Sequence, residues 1–320
     1  SSEPGVSCVR VSHYACDTIL ARTHIRMITK QYIPLAIWGA FLIATLGVWG
    51  VIFRAERGVL TVAFLDIGQG DAIFIETPQG RQILIDGGKS SVVLPALGGV
   101  MPWYDRTIDI VLATHPDQDH AGGLPSVLLQ YDVSFVVENG ASHDTRAYEA
   151  FLRAAAQEES SGARRGIARR GQRIVLEENV FLDILFPDRD PNGWDTNDGS
   201  IVTLLSYGQS TFLLTGDAPI GVEEYLVRAY GALLDADVLK LGHHGSKTSS
   251  SQIFLSAVSP EYAVVSAGRD NQYGHPHKEV TDRVKDMGVP TFSTAESGTV
   301  VFESDGGNIR VLGTSFSDVE

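Results

Sequence analysis

His115-Pro116-Asp117-Gln118-Asp119-His120 constrains this chain more than any other stretch. Four side chains able to bind a divalent metal fall within six residues, directly after the apolar run Ile108 to Ala113. Packing does not account for such a cluster, because neutral imidazole and carboxylate are the usual ligands of zinc, manganese and related ions. Pro116 stops the strand, so its end opens into a loop and the cluster reads as a metal site.

Later segments repeat this grammar. Ser200 to Ser206 is a strand entered from Asn197-Asp198, and Thr211 to Thr215 exits into Gly216-Asp217. Ala236 to Leu241 exits into Gly242-His243-His244-Gly245-Ser246, and Tyr262 to Ser266 into a loop ending Tyr273-Gly274-His275-Pro276-His277. Seven of the nine histidines fall at or near such exits; His13 and His24 are the exceptions. Helical stretches separate several of these strands, notably Gly221 to Tyr230 and Thr248 to Val258. In α/β folds catalytic groups collect beyond the C-terminal ends of strands, so these loops can converge on a two-metal centre. Taken singly, Asp217 reads as a helix cap, Asp66, Asp71 and Asp86 as turn carboxylates, and His243-His244 as a polar loop. The specificity lies in the set.

Upstream, Val59 to Asp66, Ala72 to Thr77 and Gln82 to Asp86 read as a β-meander. Leu124 to Gln130 and Thr145 to Glu158 read as helices, with Ser134 to Glu138 a strand between them. The stretch Gly162 to Arg173 carries Arg164, Arg165, Arg169, Arg170 and Arg173, and reads as a solvated loop and hairpin or as a phosphate-backbone contact. The second reading matters because the formal net charge is −14. An acidic chain gains nothing from bulk electrostatics when it meets nucleic acid, which must then be held by a local basic patch or by metal ions.

Ile33 to Phe53 is a run of 21 residues without a charge. At ~1.5 Å per residue it matches the thickness of a bilayer core, with Trp38 and Trp49 near its ends. It is longer than a signal-peptide core and no Ala-x-Ala-like site follows, so a membrane anchor is expected. Arg22, Arg26 and Lys30 precede it, whereas Glu56 stands between Arg54 and Arg57 after it. This bias points the N-terminus inward across a bacterial cytoplasmic membrane. The organisation expected is a cytoplasmic tail over 1–32, a transmembrane helix over 33–53, a linker over 54–58, an extracytoplasmic domain over 59–313 and a tail over 314–320. Cys8 and Cys16 lie far from the metal-type residues.

Several motifs together resemble one known family: Phe64 to Ala72 (FLDIGQGDA), the His115 cluster with Ala121-Gly122-Gly123, Asn197 to Ser200 (NDGS), Leu214 to Asp217 (LTGD), Lys240 to Ser246 (KLGHHGS) and Tyr273 to His277 (YGHPH). In this order they are similar to the metallo-β-lactamase-fold hydrolase domain of the ComEC-type DNA-uptake proteins. The resemblance implies an α/β fold, an αβ/βα four-layer sandwich with the metal site at one edge, here preceded by one transmembrane helix. ComEC-type channels are polytopic, so a separate channel protein is the partner implied for a single-span chain.

Carried over by this resemblance, His115 and Asp117 would bind one metal, and Asp119 and His120 a second. Asp217 would bridge both, and one or both of His243 and His244 would complete the shell, with Asp198 and His275 as further candidates. Asp119, Asp217 and His244 carry the catalytic expectation. Asp71, Asp86, Asn197, Ser246 and His277 are expected to support the site. The superfamily pattern is His-x-His-x-Asp-His; here Asp117 replaces the second histidine, and Asn197-Asp198 replaces the histidine of the third motif. Oxygen in place of imidazole shifts preference from zinc toward manganese, so the cofactors expected are two divalent ions, manganese or zinc. The activity implied is a phosphodiesterase on single- or double-stranded DNA, with Arg164, Arg165, Arg169, Arg170 and Lys247 neutralising phosphates. Alternatives are hydrolysis of a smaller ester, as in phosphocholine esterases, lactonases and β-lactamases, or a non-catalytic DNA receptor with a structural metal.

Overall fold

Period-two alternation along the strands divides the apolar side chains between layers. In Leu60–Phe64, Leu60, Val62 and Phe64 join one buried cluster and Ala63 another. Ile83 and Ile85 part from Leu84 in the same way, as do Ile110 and Leu112 from Val111. Val238 parts from Leu239, and Val264 from Ala263 and Val265. The three resulting cores are the three interfaces of a four-layer αβ/βα sandwich. The middle core lies between two sheets. The outer two pack helices Val93–Val100, Leu124–Gln130 and Arg146–Ser161 on the first sheet, and Ile220–Tyr230, Gln252–Val258 and Lys278–Asp286 on the second.

The computed structural model describes residues 37–50 and 58–312, and the chain divides into a unit ending at Arg57 and a unit from Gly58 onward. Residues 37–50 are helical. The remainder of the 33–53 run, and the tails over 1–32 and 314–320, lie outside the described residues. Among the described residues no helix is long and apolar enough to cross a membrane.

The eight-stranded sheet runs Ile309–Leu312, Val300–Ser304, Leu60–Phe64, Ile73–Glu76, Gln82–Ile85, Thr107–Ala113, Asp132–Glu138, Arg164–Ile167. The seven-stranded sheet runs Thr291–Ser293, Tyr262–Val265, Val238–Lys240, Ser210–Leu214, Val202–Tyr207, Val180–Phe186, Arg173–Glu177. From Gln82–Ile85 to Arg164–Ile167 the first sheet is parallel, and so is the second from Ser210–Leu214 to Thr291–Ser293. The strands that end in Ile85, Ala113, Leu214, Lys240 and Val265 therefore deliver the loops carrying Asp86, His115, Asp217, His244 and Ser266.

The arginine-rich stretch differs from the expected loop and hairpin. Arg164–Ile167 closes the edge of the first sheet, whereas Arg173–Glu177 pairs with Val180–Phe186 at the edge of the second. It is a crossover between sheets, and buried Ala168 between the two strands fills the middle core. Each strand pairs at the edge of a different sheet, so the two form no hairpin with each other.

Candidate metal centre

The Nε2 atoms of His120 and His244 lie 3.3 Å apart. Asp217 faces both, Oδ1 at 3.3 Å from His120 Nε2 and Oδ2 at 3.3 Å from His244 Nε2. Asp119 Oδ2 is 3.4 Å from His244 Nε2. The opposite ring nitrogens are taken: His120 Nδ1 donates to Asp86 Oδ2 at 2.8 Å and His244 Nδ1 to the Ser266 carbonyl at 2.9 Å. A ring nitrogen held against an oxygen acceptor keeps the proton and turns the other lone pair to a metal. The Nε2 face, with Asp119 and Asp217, is thus the face left open to a cation.

His115 is oriented through the same carboxylate. Its Nδ1 lies 3.0 Å from Thr114 Oγ1, which donates to Asp86 Oδ2 at 2.7 Å. His115 Nε2 is buried without a hydrogen-bond partner, 3.7 Å from Asp117 Oδ2. A buried lone pair beside carboxylates is what a divalent cation requires, so the donors fit such an ion. The His115 and His120 ring centroids lie 4.1 Å apart, so His115 and Asp117 adjoin the cluster of Asp119, His120, Asp217 and His244.

Asp71 lies on the other side of the rings. One ligand atom each from Asp71, His120, Asp217 and His244 falls within 4.8 Å of the others, and all four residues are buried. Asp71 approaches the Nδ1 face, however, at 3.7 Å from His120 Nδ1 and 3.4 Å from His244 Nδ1. Its counter-ion is Lys240, fully buried, with Nζ 2.5 Å from Asp71 Oδ2 and 3.9 Å from Asp217 Oδ1. Lys240 also donates to the carbonyls of Gly216 at 2.9 Å and Leu241 at 3.3 Å. Asp71 therefore lies behind the imidazoles, on their Nδ1 side.

The loop geometry is tight and strained. Gly70 has φ +122°, and a Cβ there would come within 2.1 Å of the Asp119 carbonyl, which accepts from the Asp71 N–H. Only glycine lets this loop lie against the metal-ligand loop. His243 and His244 both adopt left-handed φ, 49° and 55°. This costs about 1–3 kcal/mol each in a non-glycine residue and is characteristic of functional sites. The turn is held by Ser246 N–H on the His243 carbonyl at 2.8 Å and His277 N–H on the Gly245 carbonyl at 2.9 Å.

The two histidines thereby part. His244 turns into the cluster, whereas His243 Nε2 stays 3.9 Å from Asp217 and 3.4 Å from Asn197 Nδ2. His243 also lines a cleft of about 540 Å³ with His143, Trp194 and Asp198. Asp198 stands in this cleft wall, outside the cluster. The His275 ring is 5.5 Å from that of His243 and 6.1 Å from that of His244, and its Nδ1 has no hydrogen-bond partner. Ser246 Oγ lies 3.0 Å from Thr248 Oγ1, and His277 Nδ1 accepts from the Lys247 N–H at 3.2 Å.

Electrostatics divide the histidines into two groups. Burial and neighbouring His120 push His115 down to about 3, and burial with His244 and His243 pushes His275 to about 4. Against burial, Asp217 and Asp86 hold His120 well above the ordinary imidazole value. Against burial again, Asp217 and Asp119 raise His244 to about 9. Burial also opposes ionisation of Asp217 and Asp119, but His120 and His244 keep Asp217 charged, and a hydrogen bond to His244 does the same for Asp119. The metal-free site thus carries protons where a cation would bind.

The basic residues are mostly engaged elsewhere. Arg164 is level with Ile110 in mid-strand, over the Phe135 ring, and only Ile167 reaches the level of Ala113. Arg165 pairs with Glu138, Nε to Oε1 at 2.8 Å. Arg169 donates to the carbonyls of Asn139 and Ala168, both at 2.7 Å. These three do not form a free cationic rim at the metal centre: the first lies away from it and the other two hold the crossover in place. Arg170 bridges the Tyr225 and Tyr230 hydroxyls at 2.8 and 3.2 Å. Lys247 is exposed beside His277.

The model of the Metallo-beta-lactamase superfamily matches residues 65–269. The chain belongs to this superfamily. It is 34% identical over 280 residues to competence protein ComA of Neisseria gonorrhoeae, covering 85% of this chain and 36% of that protein. It is 30% identical over 264 residues to ComE operon protein 3 of Bacillus subtilis (strain 168), covering 75% and 32% respectively. These likenesses support the ComEC-type competence branch; the chain spans about a third of the length of these relatives. Among solved structures, the fold is similar to Igni18, a metallo hydrolase from the archaeon Ignicoccus hospitalis, with TM-score 0.51 and 15% identity over 76% of this chain and 98% of that one.

Sequence reasoning missed Lys240 and the depth of Asp71. The available signal was a lysine inside the apolar run Val238-Leu239-Lys240-Leu241. Lys240→Met is expected to leave Asp71 a buried carboxylate without its counter-ion and to cost about 3–5 kcal/mol in urea unfolding. Adding Asp71→Asn should recover at least half of that loss; an unchanged unfolding midpoint in the single variant would contradict the pairing.

The folded pKa of His244 lies above its unfolded value, so its contribution to metal-free stability is fully present below pH ~6.5 and lost as pH rises through about 9. A divalent metal displaces these protons, so its affinity should rise about ten- to a hundredfold per pH unit between 6.5 and 9. Calorimetry in buffers of different ionisation enthalpy should record one to two protons released per binding event (about one per displaced imidazole proton). Binding without proton release would count against the assignment.

Proposed function

We propose that this chain is a divalent-metal-dependent phosphodiesterase acting on DNA, linked to uptake or degradation of external DNA. The observation that carries the reading is the convergence of His115, Asp117, Asp119, His120, Asp217 and His244 on one edge of the sandwich. The named competence relatives supply the DNA context. On this reading His115 and Asp117 hold one ion, Asp119, His120 and His244 the other, and Asp217 bridges. The oxygen-rich set, with Asp117 in place of an imidazole, favours manganese over zinc. When bound, two such ions supply Lewis acidity, an activated water and a clamp on the phosphodiester.

The protein's own groups do the remainder. Asp86 and the Ser266 carbonyl fix the imidazoles, which keeps their Nε2 atoms in place through turnover. Asp119, partly exposed at 28%, would accept a proton from an attacking water at the open face. Lys247, exposed and joined through its backbone N–H to His277, would neutralise a neighbouring phosphate. A membrane anchor at 33–53 and a separate channel protein belong to the same proposal.

With manganese, the purified chain should cleave DNA, and Asp119→Ala should lower the rate at least about a hundredfold. A wild-type chain that hydrolyses small esters but no nucleic acid would favour the smaller-ester reading instead. A loaded metal site with no turnover of either would favour a receptor.

A further inference from the structure

Glu223 is a carboxyl that the metal centre does not use, buried to 1% exposure on helix Ile220–Tyr230. Burying a carboxyl is costly unless its oxygens are satisfied. Both oxygens of Glu223 are taken by one stretch of backbone: Oε1 accepts from the Ser250 N–H, and Oε2 from the Ser251 N–H at 2.8 Å. The carbonyls of that stretch meet a cation instead. Arg283, half-buried on helix Lys278–Asp286, donates to the Ser250 carbonyl and approaches the Ser249 carbonyl at 3.5 Å. Two helices thereby grip residues 249–251, and Ser250 is held at a left-handed φ of 53°.

The gripped stretch reaches the turn that carries His244. Ser249, fully buried, shares its hydroxyl proton between the Gly242 carbonyl at 2.5 Å and the Ser246 carbonyl at 2.9 Å. The Ser246 carbonyl also accepts from the Ser249 N–H at 3.0 Å. Gly242 and Ser246 bracket His243-His244-Gly245, so one hydroxyl ties the two ends of the left-handed turn. The approach is close: a Cβ on Gly242 would lie 3.2 Å from Ser249 Cβ. Helix Ile220–Tyr230 holds the same loop at its first turn, where the Ile220 N–H donates to the Thr248 carbonyl at 2.8 Å. The helix follows Asp217 by three residues, so one element borders both the Asp217 and the His244 loops.

We propose that Ser249, clamped by Glu223 and Arg283, is a positioning residue of the metal centre that sets the His243-His244 turn and, with it, the direction of His244 Nε2. Two consecutive non-glycine residues at left-handed φ persist only where their surroundings hold them there. The Ser266 carbonyl, 2.9 Å from His244 Nδ1, fixes the rotation of the ring. Ser249 fixes the backbone from which that ring extends. Glu223 and Arg283 act at one remove, by holding the peptide groups on either side of Ser250. This role rests on the metal-centre reading alone, since metal binding reports it whether or not the chain cleaves DNA.

The test is calorimetry of manganese binding to the full chain, with the visible absorption of the cobalt(II)-loaded chain beside it. Ser249→Ala should weaken manganese binding about tenfold and alter the cobalt(II) bands, which follow ligand geometry. Arg283→Gln, which loosens Ser249 at one remove, should move both readouts in the same direction by less. The double variant should fall short of the product of the two losses, because both changes break one chain of contacts. Metal-free melting curves should show all three folded; a purely structural role would lower the melting midpoint and leave Kd and bands alone. Wild-type Kd and bands in folded Ser249→Ala or in Arg283→Gln would overturn the proposal, as would losses that multiply in full. Should Ser249→Ala fail to fold, Arg283→Gln decides alone by the same two readouts. A wild type that binds neither metal would sink the metal centre and this role with it, whereas variants that behave as expected in a chain that cleaves no DNA would leave it standing.

Discussion

A buried ammonium holds the two sheets' loops against each other. Lys240 ends a strand of the seven-stranded sheet, and its partner Asp71 sits in a loop of the eight-stranded one. Through Gly216 and Leu241 the same ammonium fixes the turns that present Asp217 and His243-His244. A buried ion pair contributes little net stability, because desolvation offsets most of the attraction, but it fails badly when one partner is lost. It thus specifies geometry, and the metal ligands inherit that geometry.

Around this pair the site is built in two shells with opposite tasks. Asp86, Thr114 and the Ser266 carbonyl occupy the Nδ1 side of the histidines and fix their tautomers, with Asp71 beside them, all sealed from solvent. Asp119 and Asp217 gather on the Nε2 side, with Asp117 next to His115. The left-handed turn at His243-His244 lets adjacent residues serve different purposes, one turned to the ligands and one to the cleft. Strain of that kind persists only where the surroundings over-determine it, here through Gly245, Ser246 and His277.

Much of this was legible in the sequence, for physical reasons. The HPDQDH run and the strand exits at Asp217 and His243-His244 combine apolar periodicity with an unusual density of ligand types, so they announce both fold and site. Asp71 was harder, because a carboxylate beside glycine reads as a turn until tertiary packing brings Lys240 to it. The arginine stretch misled in shape: charge pattern does not reveal that Arg164–Ile167 and Arg173–Glu177 would find edges on different sheets. Asp198 and Asn197 share a motif, yet a short 3-10 turn over Asn197–Gly199 brings Asn197 to His243 and leaves Asp198 in the cleft wall. Strands without ligand exits, such as Val180–Phe186, offered no such marker.

The geometry points to metal on the Nε2 face of His120 and His244, with Asp71 behind the rings. Anomalous diffraction at the manganese edge from crystals grown with that ion tests it most directly. Two peaks are expected, one among His115, Asp117 and Asp217 and the other among Asp119, His120, Asp217 and His244. A single peak coordinated by Asp71 on the Nδ1 face would contradict it.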